Sequence, residues 1–318
     1  MKKIISIALV LIMALSLVAC GGGASKMTMG TGGTTGTYYS YGGVLAQYIK
    51  EYAGTEVVVV STDGSKANIQ SIDAGDYQLG TVQSDVLAYA WEGTRSFAES
   101  GKINSFRVVA GLYAESVQLI TMDPSIKSVA DLKGKSVSIG APGSGVYFNA
   151  IDVLGAAGLT ESDINAQYQS FGDSTDALKD GKIQAAFIVA GAPTPAITEL
   201  CTTNDAYLVP IDGDIAAKLM NDCPFYTSYT IPAGTYAGQE ADVNTVTVKA
   251  TLIVDANASE EAVYNLTKAI FDNADKIAVE NAKGKELSLD NATSGMSAPF
   301  HAGAAKYFAE KGVTVNAG

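Results

Sequence analysis

Met27-Thr28-Met29-Gly30-Thr31-Gly32-Gly33-Thr34-Thr35-Gly36-Thr37-Tyr38-Tyr39 decides how the rest of the chain is read. A short strand runs into a Gly/Thr turn, and the turn opens a helix. Tyr38, Tyr41, Val44, Leu45, Tyr48, Ile49 and Tyr52 recur at helical spacing and form one apolar face. The turn holds too little side chain for acid–base or nucleophilic chemistry. It offers backbone N–H groups, hydroxyls and the positive end of a helix, which together suit an anion. A dinucleotide fingerprint is nearly matched by Gly30 and Gly32, but Thr35 stands where the third glycine belongs and Gly36 comes one residue late. Asp63, at the end of the next strand, is where a ribose-binding acid would lie.

The start of the chain gives its address. Lys2 and Lys3 precede an apolar run from Ile4 to Leu17, then Leu17-Val18-Ala19-Cys20, which reads as a secretory signal over residues 1–19. Its end resembles a bacterial lipobox, implying a lipid on Cys20, and residues 20–27 read as the lipidated cysteine and a flexible tether. An ordinary signal peptide with an incidental cysteine is the alternative. The expected protein is extracytoplasmic, anchored to the membrane by that lipid at the cell surface or in the periplasm. Nicotinamide cofactors and ATP are scarce there, so the nucleotide reading falls and no cofactor is expected. Loss of Lys2 and Lys3 leaves 19 basic against 33 acidic residues, which argues against nucleic acid as a partner. Cys201 and Cys223 then form an even pair, either bridged or two separate thiols.

From residue 28 the pattern strand–turn–helix repeats. Val57-Val58-Val59-Val60 reads as a fully buried strand, and Thr62-Asp63-Gly64-Ser65 leads into a helix from Lys66 to Ala74. Leu79-Gly80-Thr81-Val82 is a strand, and Gln83-Ser84-Asp85 opens the next helix, with Thr62, Ser65 and Ser84 or Asp85 as candidate caps. Phe106–Leu112 and Ser116–Met122 read as two extended stretches. Ala141-Pro142-Gly143-Ser144-Gly145-Val146-Tyr147-Phe148 then follows a strand ending at Gly140. It echoes the founding stretch with a one-residue gap, Gly30 against Gly140 and Gly36 against Gly145. A second echo keeps the same order: Ile72-Asp73-Ala74-Gly75-Asp76-Tyr77-Gln78-Leu79-Gly80 against Leu178-Lys179-Asp180-Gly181-Lys182-Ile183-Gln184-Ala185-Ala186. Two ordered echoes predict two similar α/β lobes, each with a mostly parallel sheet and ligand-holding turns at the carboxyl ends of its strands. The boundaries expected are residues 28–111 plus about 240–318 for the first lobe and 112 to about 239 for the second, with a cleft between them.

Catalysis is not advertised. His301 is the sole histidine, lies in a turn far from the Gly-rich motifs and reads as structural; no cluster has metal-ligand spacing, and no enzyme is expected. Neither Arg95 nor Arg107 lies in a strand-to-helix turn, so an Arg–carboxylate clamp is absent from the pattern. An anion would be held by turns at residues 31–37, 62–65, 83–85, 143–146 and 190–193, each helix N-terminus contributing ~0.3–1 kcal/mol. Tyr41, Tyr48 and Tyr52 read as core, whereas Tyr39, off the stripe, and Asn68 are candidates to reach the cleft.

These motifs together resemble the TAXI family of solute-binding proteins of tripartite ATP-independent periplasmic (TRAP) transporters. The residues are Gly30-Thr31-Gly32-Gly33 with Gly36-Thr37-Tyr38-Tyr39, Thr62-Asp63-Gly64-Ser65-Lys66-Ala67-Asn68, Val82-Gln83-Ser84-Asp85, Gly140-Ala141-Pro142-Gly143-Ser144-Gly145, Ala190-Gly191-Ala192-Pro193-Thr194-Pro195, Ile231-Pro232-Ala233-Gly234-Thr235-Tyr236, and His301-Ala302-Gly303-Ala304-Ala305-Lys306-Tyr307-Phe308. The resemblance spans residues 28–313 and implies an α/β, two-lobe, type II periplasmic-binding-protein-like fold. It also implies capture of a small carboxylate solute, a glutamate-like amino acid or a dicarboxylate, and its delivery to TRAP permease membrane subunits. A monomer is expected. A ligand-sensing lipoprotein of the same fold, signalling to a membrane receptor, is the alternative. The expected ligand contacts are Thr31, Gly36, Tyr39, Ser65, Asn68, Gln83, Ser84, Gly143, Ser144, Gly145, Val146, Gly191, Ala192 and Pro193. Gln78 and Gln184 stand where such sequences often carry aspartate, and Asp63 and Val146 replace the commoner Gly and Thr.

Overall fold

A computed structural model describes residues 26–318. The expected signal segment, Cys20 and most of the tether lie outside the described residues. Lys26 and Met27, assigned to the tether from sequence, are instead in the first strand.

Two units of the same construction make up the fold. In the first, β1 (Lys26–Gly30) pairs in parallel with β2 (Glu56–Val60) and β3 (Leu79–Gln83), joined through helices α1 (Thr37–Ala53) and α2 (Ser65–Asp73). Helix α3 (Ser84–Glu92) leads out to β4 (Phe106–Thr121). In the second, β5 (Ser136–Ser138) pairs in parallel with β6 (Asn165–Gln167) and β7 (Ala185–Ala190), through α4 (Val146–Ala156) and α5 (Phe171–Lys179). The chain continues through α6 (Pro195–Thr203), β8 (Tyr207–Val209), α7 (Gly213–Asp222), β9 (Thr227–Ile231) and β10 (Val243–Asp255). Helices α8 (Glu260–Phe271), α9 (Ala274–Glu280), α10 (Leu289–Thr293) and α11 (Ala302–Glu310) close it.

The sheet runs β2-β1-β3-β10-β4-β7-β5-β6. It is therefore mixed rather than mostly parallel. The long strands β4 and β10 pass between the lobes in opposite directions, and β10 pairs antiparallel with β3, β4 and β9 while β4 does so with β7 and β8. The two stretches read separately at 106–112 and 116–122 are one strand, β4. One apolar core gathers Met27 to Tyr113 with Ala250 to Phe308, while the other two draw on Val117 to Val248. The change of core falls inside β4 and β10, not in loops near 112 and 240.

Strand β2 is half-buried rather than fully buried, because it lies at the sheet edge. On α1, Tyr41, Leu45, Tyr48 and Ile49 are core. Tyr52 is 45% exposed at the helix end, stacked on Tyr48 with ring centroids 6.0 Å apart. Thr62, Ser65 and Ser84 do not cap: the N-cap positions of α2 and α3 are Gly64 and Gln83, without side-chain caps. His301 is structural. Its Nδ1 accepts from the Gly303 N–H at the start of α11, which leaves Nε2 to donate to the Ala258 carbonyl, and burial lowers its pKa. Cys201 and Cys223 are both unbridged thiols, Cys201 packed in one lobe-two core and Cys223 at the edge of another, 3.9 Å from the Tyr89 hydroxyl.

The glutamines at 78 and 184 explain each other. Gln78 donates its N–H to the Thr28 carbonyl, and its Oε1 accepts the Thr28 N–H at 3.0 Å. Gln184 does the same with Ser136, at 2.8 and 2.9 Å. Each extends the β1–β3 or β5–β7 pairing by one side-chain bond at the end away from the cleft, and a carboxylate there would likewise accept the N–H. These positions are clamps for the sheet.

Candidate functional site

Four strand-to-helix turns face one another across the gap between the lobes. They open α1 and α2 from one side and α4 and α5 from the other. Between them lies a cavity of about 80 Å³. One water needs ~10–15 Å³ by the same measure, so the space admits a few waters or one small solute. Helix first turns leave N–H groups without intrahelical partners, so the ring of four is a region of positive potential.

The walls come from Gly32, Gly33, Gly36, Thr37 and Tyr38, from Thr62 to Ser65, and from Gln83 and Glu115 in the first lobe. Ala141, Ser144 to Val146, Gln169 to Phe171, Val189 and Ala190 complete them in the second. Of the residues expected from sequence, Gly36, Ser65, Gln83, Ser144, Gly145 and Val146 line the cavity. The other eight do not, and each has a structural reason. Thr31 is buried, and its hydroxyl donates to the Val60 carbonyl at 2.6 Å. Asn68 is fully buried, donating to the Thr31 and Thr81 carbonyls and bonding the Thr62 hydroxyl at 2.7 Å. Ser84 accepts the Lys249 N–H. The Gly143 carbonyl accepts from Lys66 and Ala67 at the start of α2, which ties lobe to lobe. The Gly191 carbonyl accepts from the Thr37 hydroxyl across the gap, at 2.9 Å. Ala192 and Pro193, joined by a cis peptide, fall outside the walls, and Tyr39 is half-exposed away from them. Ser144 lines the cavity, yet its N–H and hydroxyl are both bonded to the Ala141 carbonyl.

Tyr38, Glu115 and Gln169 to Phe171 were missed. The last three were reachable, since Phe171 opens α5 as Ser65 opens α2, and the second sequence echo carries that correspondence. Tyr38 looked like stripe, but being first on the stripe it meets the cleft instead of the core. Glu115 carries no local mark; it sits mid-strand where β4 passes between the cores.

The polar floor is unusual. Glu115 is 1% exposed and Gln83 is 2% exposed. Gln83 Nε2 donates to Asn149 Oδ1 at 3.0 Å and reaches Glu115 Oε2 at 3.5 Å. Glu115 Oε1, Gln83 Oε1, Gln169 Oε1 and the Tyr38 hydroxyl have no hydrogen-bond partner. Burial pushes the Glu115 carboxyl up to about 8, opposed by Tyr38, Gln83 and Lys283 and reinforced by Asp85. Burial also raises the Tyr38 phenol, with Glu115 beside it as the next cause. No Lys, Arg or His lines the cavity. Below the floor, Asn149 of α4 donates to Asp85 Oδ2 and to the Tyr226 hydroxyl, joining the lobes. Burial lifts Asp85 to about 6.

Two lobes joined by paired crossover strands, with helix N-termini converging on a cleft, define the fold of the periplasmic solute-binding proteins. Solved structures agree. A Bordetella bronchiseptica RB50 protein matches at TM-score 0.55 and 18% identity, over 90% of this chain and 89% of that one. PhnD1 from Prochlorococcus marinus, in complex with methylphosphonate, matches at TM-score 0.55 and 11% identity, over 91% and 96%. The alkanesulfonate-binding protein SsuA from Xanthomonas axonopodis pv. citri, bound to MOPS, matches at 0.51 and 16%, over 90% and 91%. The chain belongs to the NMT1-like family, whose model matches residues 29–312.

Proposed function

We propose that the protein is an extracytoplasmic solute-binding lipoprotein, not an enzyme, that captures a small organic acid in the cleft and delivers it to a membrane transporter. The observation that carries this is the ring of four helix first turns, two from each lobe, around a cavity of solute size. The TAXI-like motifs favour TRAP permease subunits as the partner and a glutamate-like amino acid or a dicarboxylate as the solute. Anchoring through Cys20 follows from the lipobox-like sequence. Gly36, Ser65, Gln83, Ser144, Gly145 and Val146 are the sequence-derived contacts that this reading retains, with Tyr38, Glu115 and Gln169 added.

Ligand-dependent melting tests capture. A solute present at a hundred times its Kd stabilises by ~2.7 kcal/mol when only the folded state binds, a shift of several degrees. A panel of amino acids and dicarboxylates that leaves the melting temperature unmoved would count against capture. Uptake of the bound solute into vesicles carrying a TRAP permease, dependent on added protein, tests the partner; no dependence on the protein removes it.

A further inference from the structure

The floor of the cleft asks for donors, not for a second anion. Three acceptors line it without a partner: Glu115 Oε1, Gln83 Oε1 and Gln169 Oε1, with the Tyr38 hydroxyl beside them. The Gln83 amide is oriented by its neighbours, since Nε2 faces the Asn149 and Glu115 oxygens and Oε1 is left toward the cavity. Buried polar groups are ordinarily satisfied, and an unpaired buried carboxylate is among the costliest exceptions. The nearest ammonium of the protein is already committed: Lys283 is paired with Glu286 at 2.6 Å, and Glu286 in turn accepts the Ala114 N–H. The rim adds Asp63. A dicarboxylate would place its second charge against Glu115 or Asp63 with no base to offset it. A substituted ammonium group presents up to three N–H donors and one positive charge, which is what these oxygens lack.

We propose that the solute carries a primary ammonium group and that Glu115 is its anchor, with Gln83 Oε1 accepting a second N–H, while the solute's acid group faces the helix first turns. This rests on the capture reading above and narrows its solute class to amino acids, against dicarboxylates. The charge arrangement gives binding a proton signature. Glu115 titrates near 8, so in the empty cleft at pH 7 it is mostly protonated, and an ammonium group must displace that proton. The other titratable or charged groups facing it are Tyr38 from α1, Asp85 from α3, Tyr113 on β4 itself, and Lys283 and Glu286 from the segment after α9. Burial holds both phenols above the range, and Asp85 titrates near 6.

The test compares each protein amino acid with its deaminated counterpart, glutamate against glutarate for example, by calorimetry on the purified protein. The expected result is binding of at least one amino acid about a hundredfold tighter than its counterpart, as for a buried charge pair missing one partner. Release of about one proton per solute at pH 7 is read from two buffers of different ionisation enthalpy, with affinity rising as the pH rises from 6 to 8. Glu115→Gln should lose about a hundredfold for the amino acid without lowering the melting temperature of the empty protein. The proton measurement on the unaltered chain stands even if that variant fails to fold. Proton uptake, a counterpart that binds as well as its amino acid, or unchanged affinity in Glu115→Gln overturns the assignment while leaving capture intact. Failure of every probe, with no small molecule recovered from the protein by native mass spectrometry, overturns capture and this inference with it.

Discussion

The two lobes are built alike and equipped differently. Their parallel strands follow the same order, β2-β1-β3 and β6-β5-β7, and the third strand of each meets a crossover strand of opposite direction. Even small details recur. Gln78 and Gln184 clamp the same register, and after α2 and α5 the Tyr77 and Ile183 N–H groups bond the Ser71 and Ala177 carbonyls. The cleft walls do not recur. The first lobe contributes Tyr38, Gln83 and Glu115, buried groups with open acceptors. Apart from Gln169, the second contributes backbone, a serine whose hydrogen-bonding groups are used up, and apolar surface. A doubled architecture fixes where a solute sits, and the asymmetry of the walls decides which end of it goes where.

The sheet also corrects the match between the founding turns. Met29 and Gly30 stand opposite Leu79 and Gly80, while Val137 and Ser138 stand opposite Ala185 and Ala186. Gly30 therefore corresponds to Ser138, not to Gly140. The second turn is one residue longer than the first, not one shorter, and Gly140 lies inside it at φ 95°. Sequence echo aligned two glycines that share a composition and not a place.

The largest expected effect separates the two helix entries. A Cβ at Gly145 would lie 1.6 Å from Gln83 Oε1, whereas one at Gly36 would meet nothing closer than the Gly33 carbonyl at 3.2 Å. Gly145→Ala should cost ~3 kcal/mol in urea unfolding and abolish solute binding by forcing the lobes apart. Gly36→Ala should cost under ~1 kcal/mol. Equal losses would mean that the entries are interchangeable. Next is the joint beneath the floor. Asn149→Ala strands the Gln83 amide and Asp85 Oδ2, and should cost ~2 kcal/mol in the same measurement. A loss below ~0.5 kcal/mol would show that the network does not hold the lobes together.

The pH dependence sharpens the contrast in chemistry. Burial raises Glu115 from 4.5 to about 8, so the folded empty protein holds that proton more tightly than the unfolded chain does. Its contribution is fully present below the unfolded value and is lost as the pH climbs toward 8. Stability of the empty protein should therefore fall over that window by up to ~1.4 kcal/mol per pH unit from this group. Asp85, raised to about 6, steepens the acid end. Glu115→Gln should flatten the slope between 6 and 8, read by urea melts at several pH values; an unflattened slope would place its origin elsewhere. The smallest effects test the sameness of the lobes. Gln78→Ala and Gln184→Ala should each cost ~1 kcal/mol and leave solute affinity alone. A change in affinity from one and not the other would break the equivalence of the clamps.

The sequence by itself determined the strand–turn–helix units, the pairing of two lobes, and which turns meet. Those features rest on local periodicity and on short motifs that the chain carries twice. Six of the fourteen expected contacts line the cleft, and those that do not, such as Thr31, Asn68 and Gly191, sit in the right turns with their polar groups bonded elsewhere. Whether an N–H, carbonyl or hydroxyl in a turn is free depends on its partner, and that partner can be 29 or 154 residues away. Only the tertiary structure decided the rest. It turned two expected strands into the continuous β4, laid that strand across the cleft, and put Glu115 at the crossing with an open oxygen. A carboxylate in a strand carries no local mark of burial, because desolvation is set by everything packed around it.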